Sequence, residues 1–176
     1  KVGTHAREGL EEIIARKRKE IDDAGFAMWG YGGNTCHPRS MVQPFAKSIA
    51  EKGQPIHLVM HEMNSRHYAE QVRAERYSID GTKWETIPKA INVLGSRFAL
   101  MIKDLREHED ELDLAATRVG VGRNEGRLGS RYVQGQADKA CLLVTEPELV
   151  NEERRPVKID LVAELVDPYA VFLSEK

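Results

Sequence analysis

The 176-residue chain is 41% hydrophobic and 31% charged, with a formal net charge of −2. Those figures describe one soluble globular domain, long enough to bury roughly 70% of its unfolded surface, and the near-neutral balance excludes a general attraction for nucleic acid, leaving only a local basic patch for that purpose. No apolar run approaches the ~20 residues of a membrane span, the start Lys1-Val2-Gly3-Thr4 carries no signal-peptide pattern, and Cys36 and Cys141 are expected as reduced thiols of a cytoplasmic protein.

A first strand is expected to end at Val2, so close to the start that the sequence reads as a piece of a longer chain. Leu10, Ile13, Ile14, Ile21 and Ala24 then share one face of a predicted helix over residues 10–24, with Glu11 and Glu12 in its first turn and Gly25 as its stop. The run Arg16-Lys17-Arg18-Lys19 is followed by Glu20, Asp22 and Asp23 and is read as a solvated face. Phe26 to Tyr31 reads as a buried strand leading into the loop Gly30-Tyr31-Gly32-Gly33-Asn34-Thr35-Cys36-His37-Pro38-Arg39-Ser40. Ser40-Met41-Val42-Gln43 has the form of a capping box, with Pro44 in the first turn and Val42, Phe45, Ala46 and Ile49 as the apolar face of the helix behind it. Ile56, Leu58 and Met60 alternate with His57, Val59 and His61, a strand pattern. A strand–helix–strand unit of this length favours two parallel strands joined by a right-handed crossover.

After residue 64 the pattern turns to β. Asp80-Gly81 between Tyr77-Ser78-Ile79 and Thr82-Lys83-Trp84 is a hairpin signal. Residues 96–103 alternate through Phe98, Leu100 and Ile102, residues 140–144 form a short apolar run, and 157–166 with 169–173 read as a closing pair of strands around Asp167-Pro168. Two segments interrupt this series: an acidic one at 104–117, and an arginine- and glycine-rich one at 118–135 that is too polar and flexible for core. The expected fold is α+β: a mixed sheet with an N-terminal strand-helix-strand-helix-strand portion and a mainly antiparallel C-terminal half. It forms a single domain over 1–176, divisible near 64 into a βαβ-like part, 1–63, and a β-rich part, 64–176. A small β-barrel with packed helices is the alternative.

The glycine loop is the first candidate site. Free N–H groups at a helix start favour a phosphate or carboxylate, and Tyr31, Gly32, Gly33, Asn34, Arg39 and Ser40 sit at that junction. Gly3-Thr4-His5 would add a second loop at the same sheet edge. The sequence matches neither G-x-x-x-x-G-K-[ST] nor G-x-G-x-x-G, and a tight turn would use the same glycines. Arg123 and Arg127 in the arginine–glycine segment are candidates to close over phosphate oxygens, although their charges could equally pair with the acidic run before them. Among the aromatics, Tyr31 is the better candidate to stack on a base, Trp29 reads as core, and Trp84 fits either role. His37, His57, His61 and His67 fall close together with Cys36. His57 and His61 are therefore weak candidates for metal ligands, and Cys36 for a thiolate lowered by a helix N-terminus; exposed histidines and an incidental cysteine would look alike.

Three functions follow in order. The first is binding of a phosphorylated ligand, nucleotide or nucleic acid at the glycine loop and helix start. The alternative is a hydrolase or transferase using His37, His57 or His61 as general base or metal ligand with Cys36 nearby. The third is an interaction module excised from a longer chain. No cofactor is named by these residues, and no membrane partner is expected.

Overall fold

The computed structural model describes residues 2–3, 8–32, 36–63, 72–135, 139–145 and 153–176. Of the residues singled out above, Thr4, His5, Gly33, Asn34, Thr35 and His67 lie outside the described residues.

The N-terminal portion follows the expected order: β1 (Val2–Gly3), α1 (Leu10–Ala24), β2 (Ala27–Tyr31), α2 (Arg39–Ala50) and β3 (His57–Met60). Helix α1 stops at Gly25, whose φ of 81° only glycine adopts at little cost and whose N–H donates to the Ile21 carbonyl. Its basic run is a solvated face only in part: Arg18 and Lys19 are exposed as expected, but Lys17 and Arg16 turn inward. Lys17 and Glu20 are both buried, three residues apart on the face that carries Ile14. Lys17 Nζ donates to both Glu20 oxygens (2.8 and 3.1 Å) and to the Asn92 carbonyl (2.7 Å). Arg16 reaches the same carbonyl (2.8 Å) and bridges Glu8 and Glu20. These two charges turn inward because the segment ahead of residue 98 brings the Asn92 carbonyl against the helix as their acceptor.

The remaining strands are β4 (Glu62–Met63), β5 (Arg76–Ser78), β6 (Glu85–Thr86), β7 (Phe98–Asp113), β8 (Thr117–Val119), β9 (Leu142–Val144) and β10 (Pro156–Ser174), with helix α3 (Gly129–Gly135) between β8 and β9. The class is α+β. Six strands form one antiparallel sheet in the order β2-β7-β10-β5-β6, with β3 also beside β10, and the sheet does not close into a barrel among the described residues. The expected parallel crossover is absent: β2 and β3 are separated by β7 and β10 and run in opposite directions. Burial explains the arrangement. Strand β2 is apolar on both faces, Ala27 and Tyr31 to one side and Met28 to the other, and suits a position beside the long β7. Strand β3 exposes His57 and Val59 and suits a less covered position. Parallel pairing is confined, among the described residues, to β1 with β4 and a bridge between Cys36 and Lys139.

Two further expectations are corrected. The acidic segment continues β7 through Asp113, because its backbone pairs with β10 while most of its carboxylates stay exposed. The closing pair is one strand: Leu165 faces Ile102 and Ala170 faces Leu100, so the residues around Asp167-Pro168 bulge out of a ladder that β10 keeps with the same partner. The hairpin stands, with β5 and β6 joined by a loop longer than two residues. Asp80 organises that loop by accepting from Thr82 N–H (2.7 Å) and Lys83 N–H (2.9 Å), and these donors hold its carboxyl far below the usual carboxylate range.

One face of the sheet packs Leu100, Ile102, Leu161 and Ala170 with Ile14 and Val42 from the helices; the other packs Met28, Ala99, Met101 and Val171 with Ala74, Ile87, Ile91 and Val93. Gly30 lies where that second layer presses closest. A Cβ there would collide with Ser96 Oγ, would lie 2.9 Å from Ser96 Cβ and 3.0 Å from a Val93 methyl, and rotating the hydroxyl would not relieve the carbon contact. We expect Gly30→Ala to destabilise the fold by ~1–3 kcal/mol, the scale of overpacking. Adding Ser96→Gly should recover most of the loss. Urea midpoints of the single and double variants check this, and equal midpoints for Gly30→Ala and the parent chain would remove the close-approach explanation.

Candidate functional site

Strand register brings three aromatic residues into one row at the sheet end where β2 finishes. Tyr31 lies opposite Phe98, and Phe98 opposite Phe172. Cross-strand neighbours project to one face, and the rings touch: centroids are 5.4 Å apart for Tyr31–Phe98 and 5.8 Å for Phe98–Phe172. Two guanidinium groups lie over this row. Arg39 Cζ stands 5.1 Å from the Phe172 centroid and Arg97 Cζ 5.7 Å from that of Phe98, within cation–π range. Arg39 is fixed by Nε, which donates to the Ala170 carbonyl (3.2 Å). Beside the row is an open groove of about 540 Å³ lined by Trp84, Ser96, Arg97, Phe98, Phe172 and the 173–176 segment.

Helix α2 begins at this sheet end. Its N-cap is Pro38 rather than Ser40, so the predicted capping box is absent: the Pro38 side chain makes no cap hydrogen bond, and Met41 and Val42 N–H turn back to the Pro38 carbonyl. Arg39 and Ser40 are then the first two helical residues, whose N–H groups have no intrahelical partner by geometry. Starting two residues earlier also moves Pro44 past the first turn, where it removes the N–H that would bond the Ser40 carbonyl.

Tyr31 is 5% exposed and its ring packs on Phe98, so it does not offer the free stacking face expected of it. Its hydroxyl is buried and finds no hydrogen-bond partner among the described residues. Burial pushes the phenol well above its ordinary range, Cys36 and Cys141 add to that, and Arg39 opposes it. The four groups are therefore electrostatic neighbours.

His37 is buried behind this site. Its Nδ1 accepts from Cys141 N–H (3.0 Å), which places the proton of the neutral ring on Nε2, 3.0 Å from Tyr132 Oη. The two rings stack at 5.4 Å. Burial depresses the His37 pKa and pushes the Cys141 thiol up to about 12, so both are neutral near pH 7. The ring nitrogens of His37 engage Cys141 and Tyr132, not the adjacent Cys36. This arrangement holds the 139–141 segment against the entrance to α2.

The other histidines stand elsewhere. His57 is exposed on β3 opposite Glu164, eight positions along β10 from Phe172. His61 Nδ1 is 3.2 Å from Asp160, a carboxylate that also takes Lys158 and Glu62 N–H. No three His, Cys, Asp or Glu side chains come together at metal-binding spacing among the described residues.

The arginine–glycine segment is more ordered than its composition suggests. It contributes β8, a 3-10 turn at Gly122–Asn124 and α3, and it buries Val119, Leu128 and Ser130. Gly120 abuts the Phe45 ring and Gly122 the Met41 side chain. That carries the exposed Arg123 beside the first half of α2, while Arg127 is exposed three residues after the turn. Gly32 approaches the Arg97 backbone, with a Cβ position 3.5 Å from its nitrogen. Trp29 packs against the core as expected.

Sequence reading missed Arg97, Phe98, Phe172 and Tyr132 as members of this site. Phe98 and Phe172 have the alternation of ordinary strand residues, and only strand register shows that they adjoin Tyr31. No described helix is long and apolar enough to cross a membrane. No family model, curated protein or solved structure matches the chain.

Proposed function

We propose that the chain binds a phosphorylated ligand, a nucleotide or nucleic acid, at the sheet end formed by Tyr31, Phe98, Phe172, Arg39 and Arg97. The observation that carries this reading is the groove of about 540 Å³ lined by Trp84, Phe98, Phe172 and Arg97, with Arg39 over the Phe172 ring outside that lining. A planar base fits an aromatic floor because stacking is tolerant of base identity. Guanidinium groups already ordered by ring contact meet phosphate oxygens with little further loss of side-chain freedom. The start of α2, whose N-cap Pro38 offers no side-chain cap bond, adds two backbone donors and the positive end of the helix dipole. Trp84 takes the stacking role first assigned to Tyr31, Arg97 joins Arg39 as an anion contact, and Arg123 stands beside α2 as a third.

The test is titration of the full chain with a panel of nucleotides and short oligonucleotides. Arg39→Ala should weaken binding by ~1.5–3 kcal/mol, the scale of a hydrogen bond to a charged group, while thermal melting confirms an intact fold. Absence of saturable binding to any member of the panel would overturn the proposal.

A further inference from the structure

We propose that the ligand of the groove is a short single-stranded stretch of nucleic acid, held by stacking of successive bases, and not a free mononucleotide; this rests on the ligand class inferred above. Three aromatic side chains line the groove from three elements. Trp84 comes from the hairpin side, Phe98 from β7, and Phe172 from β10, which runs between those two flanks. The Phe98 and Phe172 rings are inclined by 59° to each other, with centroids 5.8 Å apart. One planar base lies parallel to only one of them. Separate platforms on separate strands suit successive bases of a flexible chain, because every base has a face to stack and none needs a defined partner. Arg97 adds a guanidinium plane over Phe98, the other kind of surface on which bases stack.

The polar groups of the lining select between a strand and a free nucleotide. A pocket for a small molecule fixes its ligand with a few convergent polar groups. Here both serine hydroxyls of the lining are turned to the protein: Ser96 Oγ donates to the Leu94 carbonyl (3.0 Å) and Ser174 Oγ to that of Lys176 (2.8 Å). What remains for a ligand is ring surface and exposed charge. Arg97 and Lys176 are exposed cations and Glu175 an exposed carboxylate, and Arg97 has no ion pair among the described residues. Two cations against one carboxylate match the backbone of a few nucleotides. A longer contact along the sheet is opposed by charge: from Asp104 to Asp113, β7 carries six carboxylates and one arginine, which would repel a polyanion.

The experiment is calorimetric titration of the full chain with thymidine and deoxyadenosine 5′-monophosphates, the 5′-phosphorylated di- and trinucleotides of each, and a stable duplex of mixed sequence. In at least one series the trinucleotide should bind roughly tenfold or more tightly than the mononucleotide, and more tightly than the duplex, whose bases are not free to stack on protein. In Trp84→Ala the ratio of trinucleotide to mononucleotide affinity should fall several-fold, because a platform for one base is lost. In Arg97→Gln the slope of log affinity against log salt for the trinucleotide should become shallower by ~0.7, the share of one phosphate contact on a single strand. Should either variant fail to fold, the ratio measured on the unaltered chain decides. A mononucleotide that binds as tightly as its trinucleotide would overturn the inference and leave the nucleotide reading standing, and a duplex that binds as tightly as the single strand would overturn it in favour of backbone contact alone. No binding by any probe would overturn both.

Discussion

Replacing Glu20 by alanine should cost about 3–5 kcal/mol, the range for breaking a buried ion pair from one side. Such a loss is a large part of the ~5–15 kcal/mol by which domains are stable. Glu20 accepts from Lys17 Nζ, from Arg16 Nη1 (3.3 Å) and from Asn92 N–H (3.0 Å), so its removal strands one buried cation and one backbone donor together. Burial already draws the Lys17 pKa down to about 8, with Glu20 opposing that shift. The pH signature follows by linkage. Between that value and the ordinary lysine value of 10.5 the unfolded chain binds the Lys17 proton more tightly than the folded one, so this group's contribution to stability rises with pH. Without Glu20 the folded-state value falls further, and the rise should begin at lower pH. Urea denaturation of Glu20→Ala and the unaltered chain at pH 7 and pH 9 checks both parts. A loss below ~1 kcal/mol at pH 7, the usual ceiling for an exposed pair, would show that the network is solvated after all.

Replacing His37 by leucine should cost about 1–3 kcal/mol, because the buried Cys141 N–H would lose its acceptor. The unaltered chain should also lose stability in mild acid. Burial holds the folded-state pKa of His37 below its ordinary 6.5, so the unfolded chain binds the proton more tightly. The contribution is therefore fully present above 6.5 and declines as pH falls from there through the lower folded value. Protonation of Nδ1 turns an acceptor into a donor facing Cys141 N–H. In His37→Leu this share of the acid sensitivity should vanish, leaving a shallower slope of stability between pH 7.5 and pH 5. Identical slopes would assign the acid response to the carboxylates alone. Because this contact lies behind the start of α2, the same acid range should also weaken the proposed ligand binding at the sheet end.

The candidate site was half legible. Gly30–Ser40 announces a loop between a strand and a helix, and Arg39 stands at that junction in the structure as in the sequence. The reason for the glycine at position 30 was not legible: Ser96, 66 positions away, occupies the space a side chain would need. The stacking partners were hidden in the same way. Tyr31, between two glycines, is the better stacking candidate in the sequence, but Phe98 packs on its ring, and the accessible aromatic surface belongs to residues on β7, β10 and the hairpin loop.

Local periodicity determined the elements. The i, i+3, i+4 spacing fixed α1 to its terminal residues, Gly25 fixed its end, Asp80-Gly81 fixed the hairpin, and alternation around Phe98–Ile102 fixed a strand. Each signal acts within a few residues, through side-chain direction or backbone conformation, and so survives without tertiary context. Pairing was decided by tertiary structure alone. Residues 26–62 are compatible with two adjacent parallel strands, but β7 and β10, each far longer than β2 or β3, form the centre of the sheet and take those strands on opposite sides. The same competition made one strand of 156–174 and extended β7 through its carboxylates. It also turned Lys17 and Glu20 inward, because the Asn92 carbonyl that satisfies Lys17 arrives from 75 residues away. Backbone hydrogen bonding and burial between distant segments carry no local sequence signature, and the aromatic–guanidinium end of the sheet, on which the proposed function rests, is a product of them.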